Sequence, residues 1–188
     1  MKSNISSLIV STIIISSIFL TQIAIANDPW FDAKEGNKII LIRHAKAPGG
    51  GDPKGFKIED CKTQRNLDKV GIDQSKRIGE LFKDEKIKID EVLSSQWCRC
   101  KDTAKYAFGD FKEFSALNST YTPPYDKNER QQIKDLKNYV SKWEGKGGNL
   151  VLVTHYVIIL AITGETVRSG EIVITDKNFK VLSTILTN

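Results

Sequence analysis

The sequence has few of the residues that would favour several common kinds of protein. Three cysteines among 188 residues are too few for a scaffold held together by disulfides. The five prolines and 13 glycines exclude a collagen-like or low-complexity chain. We find no internal repeat, and 40% hydrophobic residues with 27% charged residues exclude wholesale disorder. The length and composition therefore indicate a single globular domain with a substantial core.

Charge is almost missing from the N-terminal segment, where Lys2 is the one charged side chain of residues 1–26. An apolar stretch with interspersed hydroxyl residues follows Lys2 and ends in Ala24-Ile25-Ala26. This pattern is typical of a secretory signal peptide, and we expect cleavage after Ala26. The alternative is an uncleaved membrane anchor, because about 20 weakly polar residues could span a bilayer. We expect residues 27–188 to form one mature domain with no stable membrane insertion.

The positive charge of the chain gives no sign of a nucleic-acid partner. The formal net charge is +5, and removal of residues 1–26 leaves +4. The lysines are scattered and form no stripe interleaved with aromatic residues, so we expect no binding of nucleic acid. The predicted export would place the protein in the periplasm or outside the cell, which is an oxidising environment for its cysteines.

The three cysteines allow one disulfide and leave one thiol over. A bridge between Cys98 and Cys100 would close a very small and strained ring. We therefore expect Cys61 to pair with either Cys98 or Cys100. A metal site is the rival interpretation, but a Cys-x-Cys pair without a second close pair of ligands is a weak signal, and we expect no metal.

Apolar runs and helical spacing predict strands that alternate with helices. The predicted strands cover residues 38–42, 91–95, 111–117, 149–154, 170–175 and 179–186, and the predicted helices cover 70–83, 102–108, 129–143 and 156–162. Turn-forming residues predict a long loop over 46–64. The alternation favours an α/β fold of three layers, αβα, with a central and mostly parallel sheet.

The two histidines of the chain both follow a predicted buried strand. Arg43-His44 comes after the first strand, His155 comes after the strand over 149–154, and Arg99 lies near the start of a helix. Because ligands bind beyond the carboxyl ends of parallel strands, we expect these side chains to meet at one edge of the sheet. Guanidinium groups match phosphate oxygens, a helix N-terminus adds donors, and an imidazole can attack phosphorus. The pattern therefore favours a site for a phosphoryl group.

These residues lie in segments that resemble, in the same order, motifs of the histidine phosphatase superfamily, also called the phosphoglycerate-mutase-like family. The segments are Leu41-Ile42-Arg43-His44-Ala45, similar to the R-H-G/A signature; residues 65–75, similar to R-x-L-x-x-x-G-x-x-Q-A; residues 94–104, similar to S-S-x-x-x-R-x-x-x-T-A; and residues 151–155, similar to the strand before the second histidine. The resemblance runs from about Lys38 to Val173, most of the mature chain.

The resemblance implies a role for each matching residue. His44 would be the nucleophile and would become a phosphohistidine, which water would then hydrolyse. Arg43 and Arg99 would bind the phosphate, and His155 would contact the phosphoryl oxygens and support the transfer. No cofactor or metal is implied, because the arginines supply the positive charge. The function expected is that of a small exported phosphomonoester phosphatase, of the histidine acid phosphatase type, with a small phosphorylated substrate such as a sugar phosphate of the cell envelope.

The residue that protonates the leaving oxygen does not follow from the motifs. Most members of the family use a carboxylate for this step, although small members can lack an obvious acid. In members with a larger helical insert the carboxylate lies between the segments that here carry Arg99 and His155, where Glu129 and Asp126 are the candidates. Acidic residues at this place are also common at the start of a helix. Acids of the 46–64 loop could substitute, namely Asp52, Glu59 and Asp60. That loop would lie over the mouth of the site, where a disulfide from Cys61 could hold it beside Arg99.

Two other functions would use the same residues differently. The alternative to an enzyme is a non-catalytic module that binds phosphate or another anion on the same fold. A metal-dependent hydrolase would need carboxylates grouped around the two histidines, a pattern that we do not find in the sequence. The sequence makes no prediction of the oligomeric state.

Overall fold

The computed structural model describes residues 28–187, so the predicted signal peptide at 1–26 lies outside the described residues. The helices are α1 (Phe31–Glu35), α2 (Lys69–Asp84), α3 (Cys98–Phe108), α4 (Glu129–Lys142) and α5 (Tyr156–Thr163), and the strands are β1 (Ile39–Arg43), β2 (Ile89–Ser94), β3 (Lys112–Glu113), β4 (Asn149–Thr154), β5 (Ile172–Thr175) and β6 (Val181–Ile185). None of the helices within 28–187 is long and apolar enough to cross a membrane.

The strands form one six-stranded sheet in the order β3-β2-β4-β1-β5-β6. The pairs β1/β4, β2/β4 and β2/β3 are parallel, whereas β5 pairs antiparallel with both β1 and β6. The mostly parallel sheet and its closing antiparallel pair are confirmed. The three strands β2, β4 and β1 therefore end side by side at one edge of the sheet.

Alternate residues of the central strands face two separate apolar clusters, which gives the three layers expected from the sequence. In β1, Ile40 and Ile42 pack with residues of α1, α2 and α3, whereas Ile39 and Leu41 pack with residues of α4 and α5. Both clusters consist of buried side chains, and the four β1 residues are completely inaccessible. The αβα architecture is thus a consequence of strands that are apolar on both faces.

The structure differs from the sequence-based elements in three places. Helix α3 starts at Cys98 rather than at 102, because the buried first turn follows Trp97, which provides no side-chain cap as a sequence signal. The strand expected over 111–117 is only β3, followed by a 3₁₀ turn at Ser115–Leu117. Helix α1 was not predicted, since its five residues are too few to show a helical period.

The loop over 46–64 is held against the start of α3. A disulfide joins Cys61 to Cys98, and the side chain of Gln64 accepts a hydrogen bond from the backbone amide of Cys98 at 3.0 Å. The ring of Phe56 packs against that of Trp97, with the ring centroids 5.8 Å apart. Of the two pairings left open by the sequence, the structure has Cys61 with Cys98, and Cys100 is a buried free thiol.

Candidate active site

The parallel register of the sheet brings the two histidines together. Arg43, the last residue of β1, is paired with Thr154, the last residue of β4, so His44 and His155 leave the sheet at the same level. The backbone amide of His44 donates to the carbonyl of Thr154 at 2.9 Å. The imidazole centroids are 5.4 Å apart, and both residues are 3% exposed. The predicted convergence at the strand ends is therefore present.

The hydrogen bonding of His44 determines which of its ring nitrogens is nucleophilic. Nδ1 lies 2.8 Å from the carbonyl oxygen of Ala45, which can only accept, so Nδ1 carries the proton and Nε2 carries the lone pair. Burial, reinforced by the nearby Arg99, holds the pKa of His44 well below its usual value of 6.5. The imidazole is thus neutral near pH 7, as a nucleophile must be.

His155 is oriented by a chain of buried polar groups. Its Nε2 lies 2.9 Å from the hydroxyl of Ser95, and that hydroxyl donates to the side-chain oxygen of Asn118 at 3.1 Å. The proton of His155 is therefore assigned to Nε2, which leaves Nδ1 to accept the long 3.5 Å contact from Arg99. Burial and the charge of Arg99 also hold the pKa of His155 well below 6.5. The neighbouring thiol of Cys100 has its pKa raised to about 12 by burial, so it stays protonated.

A cavity of about 370 Å³ opens onto the two histidines. Three arginines and one carboxylate line it, namely Arg43, Arg65, Arg99 and Asp52. Because the histidines are neutral, the lining residues leave a positive excess that suits a dianion such as a phosphate monoester. The volume fits a small organic phosphate.

The arginine side chains offer donors that no protein group uses. Among the described residues, the Nε atoms of Arg43, Arg65 and Arg99 are buried and have no hydrogen-bond partner. Buried donors are almost always satisfied in native proteins, so three unpaired guanidinium donors around one cavity indicate that an anion is the intended partner. Arg65 lies within the second motif, and the motif alone does not predict a role for it. Its sequence signal is an arginine directly after the loop that covers the site.

Asp52 is the carboxylate that the structure brings into this cavity. Its oxygens accept from Nη1 of Arg99 at 2.8 and 3.1 Å, from the indole of Trp97 at 3.0 Å and from the backbone amide of Arg65 at 3.0 Å. The side chains of Arg99 and Asp52 are 4% and 6% exposed. Such a buried ion pair is possible because each oxygen of the carboxylate has donors.

Glu129 and Asp126, the acids first considered as proton donors, are placed elsewhere. Both residues are exposed and neither lines the cavity. Glu129 begins α4, where its carboxylate accepts from the hydroxyl of Thr120 at 3.2 Å. The structure therefore does not bring Glu129 together with the histidines. Its position at a helix N-terminus agrees with the capping interpretation.

The helix N-terminus near Arg99 was expected to supply backbone donors to the phosphate. The amide of Trp97 instead lies 3.3 Å from the hydroxyl of Ser95, and the amide of Cys98 is bound to Gln64. These two donors are thus used within the protein. The positive charge at the site comes from side chains rather than from this part of the backbone.

Other motif residues hold the segment after the nucleophile in place. The side chain of Gln74 in α2 accepts from the backbone amide of Lys46 at 3.0 Å and donates to the carbonyl of Ser169 at 2.8 Å. Gly71 lies so close to the carbonyl of Lys46 that a side chain would collide with it. The hydroxyl of Thr103 in α3 accepts from the amide of Ala45 at 3.0 Å. These contacts explain why the motifs require these residue types.

A comparison with protein-family models matches part of the chain. Residues 39–116 match the family model of the histidine phosphatase superfamily (branch 1). This match covers less than half of the chain, so it shows a similarity to the histidine phosphatase superfamily over those residues. The match contains Arg43, His44, Arg65 and Arg99, and the fold adds His155 from β4 to the same site. A search of curated protein sequences found no significant match.

Solved structures share the fold of this chain. A putative phosphohistidine phosphatase SixA from Agrobacterium tumefaciens is 17% identical, with a TM-score of 0.55 over 80% of this chain and 98% of that chain. The protein histidine phosphatase SixA complexed with tungstate is 13% identical, with a TM-score of 0.54 over 80% and 97%. A phosphoglycerate mutase from Thermus thermophilus is 17% identical, with a TM-score of 0.54 over 79% and 98%. At these identities the likeness establishes the phosphoglycerate-mutase-like fold.

The match over residues 39–116 supports phosphatase or phosphoryl-transfer chemistry on a small phosphorylated substrate. Within residues 28–187, no group of three or more His, Cys, Asp or Glu side chains is arranged as a metal site.

Proposed function

We propose that the protein is an exported phosphomonoester phosphatase that works through a phosphohistidine on His44. The observation that carries this proposal is the 2.8 Å contact from Nδ1 of the buried His44 to the carbonyl of Ala45, which leaves Nε2 to act as the nucleophile at a cavity lined by three arginines. The nucleophile and the charges that would hold its target thus share one site. The export is proposed from the signal-peptide pattern of residues 1–26 and places the enzyme in the periplasm or outside the cell.

The chemistry starts with a phosphate monoester bound between the arginines. Arg43 and Arg99 would take the phosphoryl oxygens, with Arg65 as a third guanidinium on the same cavity. The side chain of Arg43 is fixed from behind, because its Nη1 donates to the carbonyl of Val167 at 2.8 Å. A guanidinium that is held in place needs little reorganisation when charge develops on the phosphoryl oxygens, which is how such groups lower the barrier.

Transfer would proceed by in-line attack of Nε2 of His44 on phosphorus, with the leaving oxygen on the opposite side. His155 would stabilise the transferring group by taking up a second proton on Nδ1 when the phosphate dianion binds, since the proton on its Nε2 is used by the hydroxyl of Ser95. Water would then attack the phosphohistidine and release inorganic phosphate. The arginines supply positive charge throughout, so we propose that the reaction needs no metal ion.

The substrate would be small, because the cavity holds about 370 Å³. Hydroxyl groups of Ser119, Thr122 and Ser169 lie among the lining residues and would suit a hydroxylated leaving group such as a sugar. A sugar phosphate of the cell envelope fits both this lining and the proposed location.

Hydrolysis of 4-nitrophenyl phosphate by residues 27–188 tests the proposed function. We expect release of phosphate in the presence of EDTA, and loss of that release in His44→Ala. The matched control is Glu59→Gln, because the structure places this acid of the 46–64 loop at the surface and outside the lining of the cavity, so the rate should stay unchanged. Phosphate that stabilises the fold without any turnover would instead support the anion-binding module, and activity that disappears in EDTA would support a metal-dependent hydrolase.

A further inference from the structure

The site contains one carboxylate that the phosphohistidine chemistry above does not use. Asp52 comes from the 46–64 loop rather than from the segment between Arg99 and His155. Among the described residues that line the cavity, it is the one acidic side chain. We propose, on the basis of the proposed function, that Asp52 is the proton donor to the leaving group.

The pairing of Asp52 with Arg99 places this carboxylate on a guanidinium that the substrate would also bind. In the structure its charge is balanced by Arg99, and Trp97 and Arg65 each donate one hydrogen bond. A phosphate dianion that binds Arg99 brings a second negative charge to the same guanidinium. Two anionic groups that share one site favour the uptake of one proton between them. The substrate thus promotes the protonation of the acid that its own leaving group needs.

Both half-reactions balance with this one group. In the first, the bond from Nε2 of His44 to phosphorus forms and the phosphorus–oxygen bond breaks. The electron pair stays on the leaving oxygen, which takes the proton of the Asp52 carboxyl group. In the second, water attacks phosphorus and gives a proton to the Asp52 carboxylate. The phosphorus–nitrogen bond then breaks, and its electron pair returns to Nε2.

The loop that carries Asp52 is attached covalently to the start of α3. Cys61 of the loop is bonded to Cys98, which directly precedes Arg99. The aromatic ring of Trp97, 1% exposed, forms a rigid support whose indole N–H holds the carboxylate. The short segment from Trp97 to Arg99, at the start of α3, therefore holds both the proposed proton donor and the arginine that would bind the phosphate.

Leaving-group dependence in Asp52→Asn tests this role. An alkoxide leaves poorly without a proton, whereas 4-nitrophenolate leaves well without one. We expect kcat/KM for glycerol 2-phosphate to fall about 100-fold or more, the usual contribution of general acid catalysis. For 4-nitrophenyl phosphate we expect a change of a few-fold at most. Glu59→Gln should leave both rates unchanged.

Binding of inorganic phosphate separates proton donation from mere positioning of Arg99. Asp52→Asn removes a like charge from the site, so we expect phosphate to bind at least as tightly as in the wild type. Weaker phosphate binding together with equal losses on both substrates would overturn the proposal and assign Asp52 a positioning role. A selective loss on glycerol 2-phosphate in Glu129→Gln, with Asp52→Asn unaffected, would overturn it as well.

Two further outcomes concern failure of the proposed function and failure of Asp52→Asn to fold. If wild-type protein does not hydrolyse 4-nitrophenyl phosphate, or if His44→Ala still does, the proposed function itself fails. If Asp52→Asn does not fold, a series of aryl and alkyl phosphates on the wild type and on Glu129→Gln replaces it. A shallow dependence of kcat/KM on the leaving group in both proteins supports Asp52. A steep dependence in the wild type, or one that becomes steep in Glu129→Gln, overturns the proposal.

Discussion

Removal of the disulfide between Cys61 and Cys98 should destabilise the protein by an amount that follows from the size of the closed loop. The two cysteines are 37 residues apart in the sequence. The loss of loop-closure entropy in the unfolded chain then predicts a destabilisation of about 4 kcal/mol. That is a large part of the free energy of unfolding of a domain of this size, which is typically about 5–15 kcal/mol.

The effect should reach the active site as well. The disulfide attaches the loop that carries Asp52 to the helix that carries Arg99. Without it, the loop must be held by weaker contacts such as Phe56 against Trp97 and the bond from Cys98 to Gln64. We therefore expect the KM for 4-nitrophenyl phosphate to rise in reduced protein, because the wall of the cavity is less well ordered.

Urea unfolding followed by circular dichroism measures the first effect, with Cys61→Ala/Cys98→Ala compared with the wild type. Dithiothreitol should destabilise the wild type by a similar amount and leave the double variant unchanged, which separates the disulfide from other effects of the reductant. A difference below about 1 kcal/mol between the two proteins would contradict the loop-entropy argument. Unchanged kinetics in the double variant would show that the bond does not order the cavity.

Three other results are expected from the structure. Arg99→Met should lower the free energy of unfolding in urea by roughly 3–5 kcal/mol, because it leaves the buried Asp52 carboxylate without its counter-ion. Adding Asp52→Asn should restore part of that loss, and an equal or larger loss in the double variant would contradict this. Gly71→Ala should cost about 1–3 kcal/mol, since the new methyl group meets the carbonyl of Lys46, and an unchanged midpoint would show that the helix simply moves away. Both histidines have pKa values lowered by burial, so the unfolded chain takes up protons first as the pH falls. Stability should thus be complete above about pH 6.5 and should fall below it by up to about 1.4 kcal/mol per pH unit for each histidine, a trend that unfolding curves from pH 7 to 5 would detect or contradict.

The sheet and the convergence of its polar residues could be predicted because the central strands are apolar on both faces. A run such as 149–154 has few structural alternatives, and the strand β4 has the predicted bounds. Once the strands are parallel, the residues that follow them must lie at one edge. The approach of His44 to His155 is therefore a consequence of topology, which requires no knowledge of side-chain contacts.

The identity of the carboxylate at the site could not be predicted in the same way. Asp52 reaches Arg99 through a long loop whose path depends on a disulfide and on packing around Trp97. Neither contact has a periodic signal in the sequence. The family resemblance makes Glu129 a candidate because it lies in the expected segment, but in the structure it begins α4 and does not line the cavity. Arg65 was missed as a lining residue for the same reason, since its position depends on the loop.

The central claim is that His44 carries the phosphoryl group during turnover, and trapping that intermediate tests it most directly. Protein of residues 27–188 would be mixed with a ³²P-labelled monoester, quenched in alkali and digested. We predict an alkali-stable and acid-labile label on the peptide that contains His44, and no label in His44→Ala although this variant still binds inorganic phosphate. Label on another residue, or turnover that persists in His44→Ala, would contradict the account.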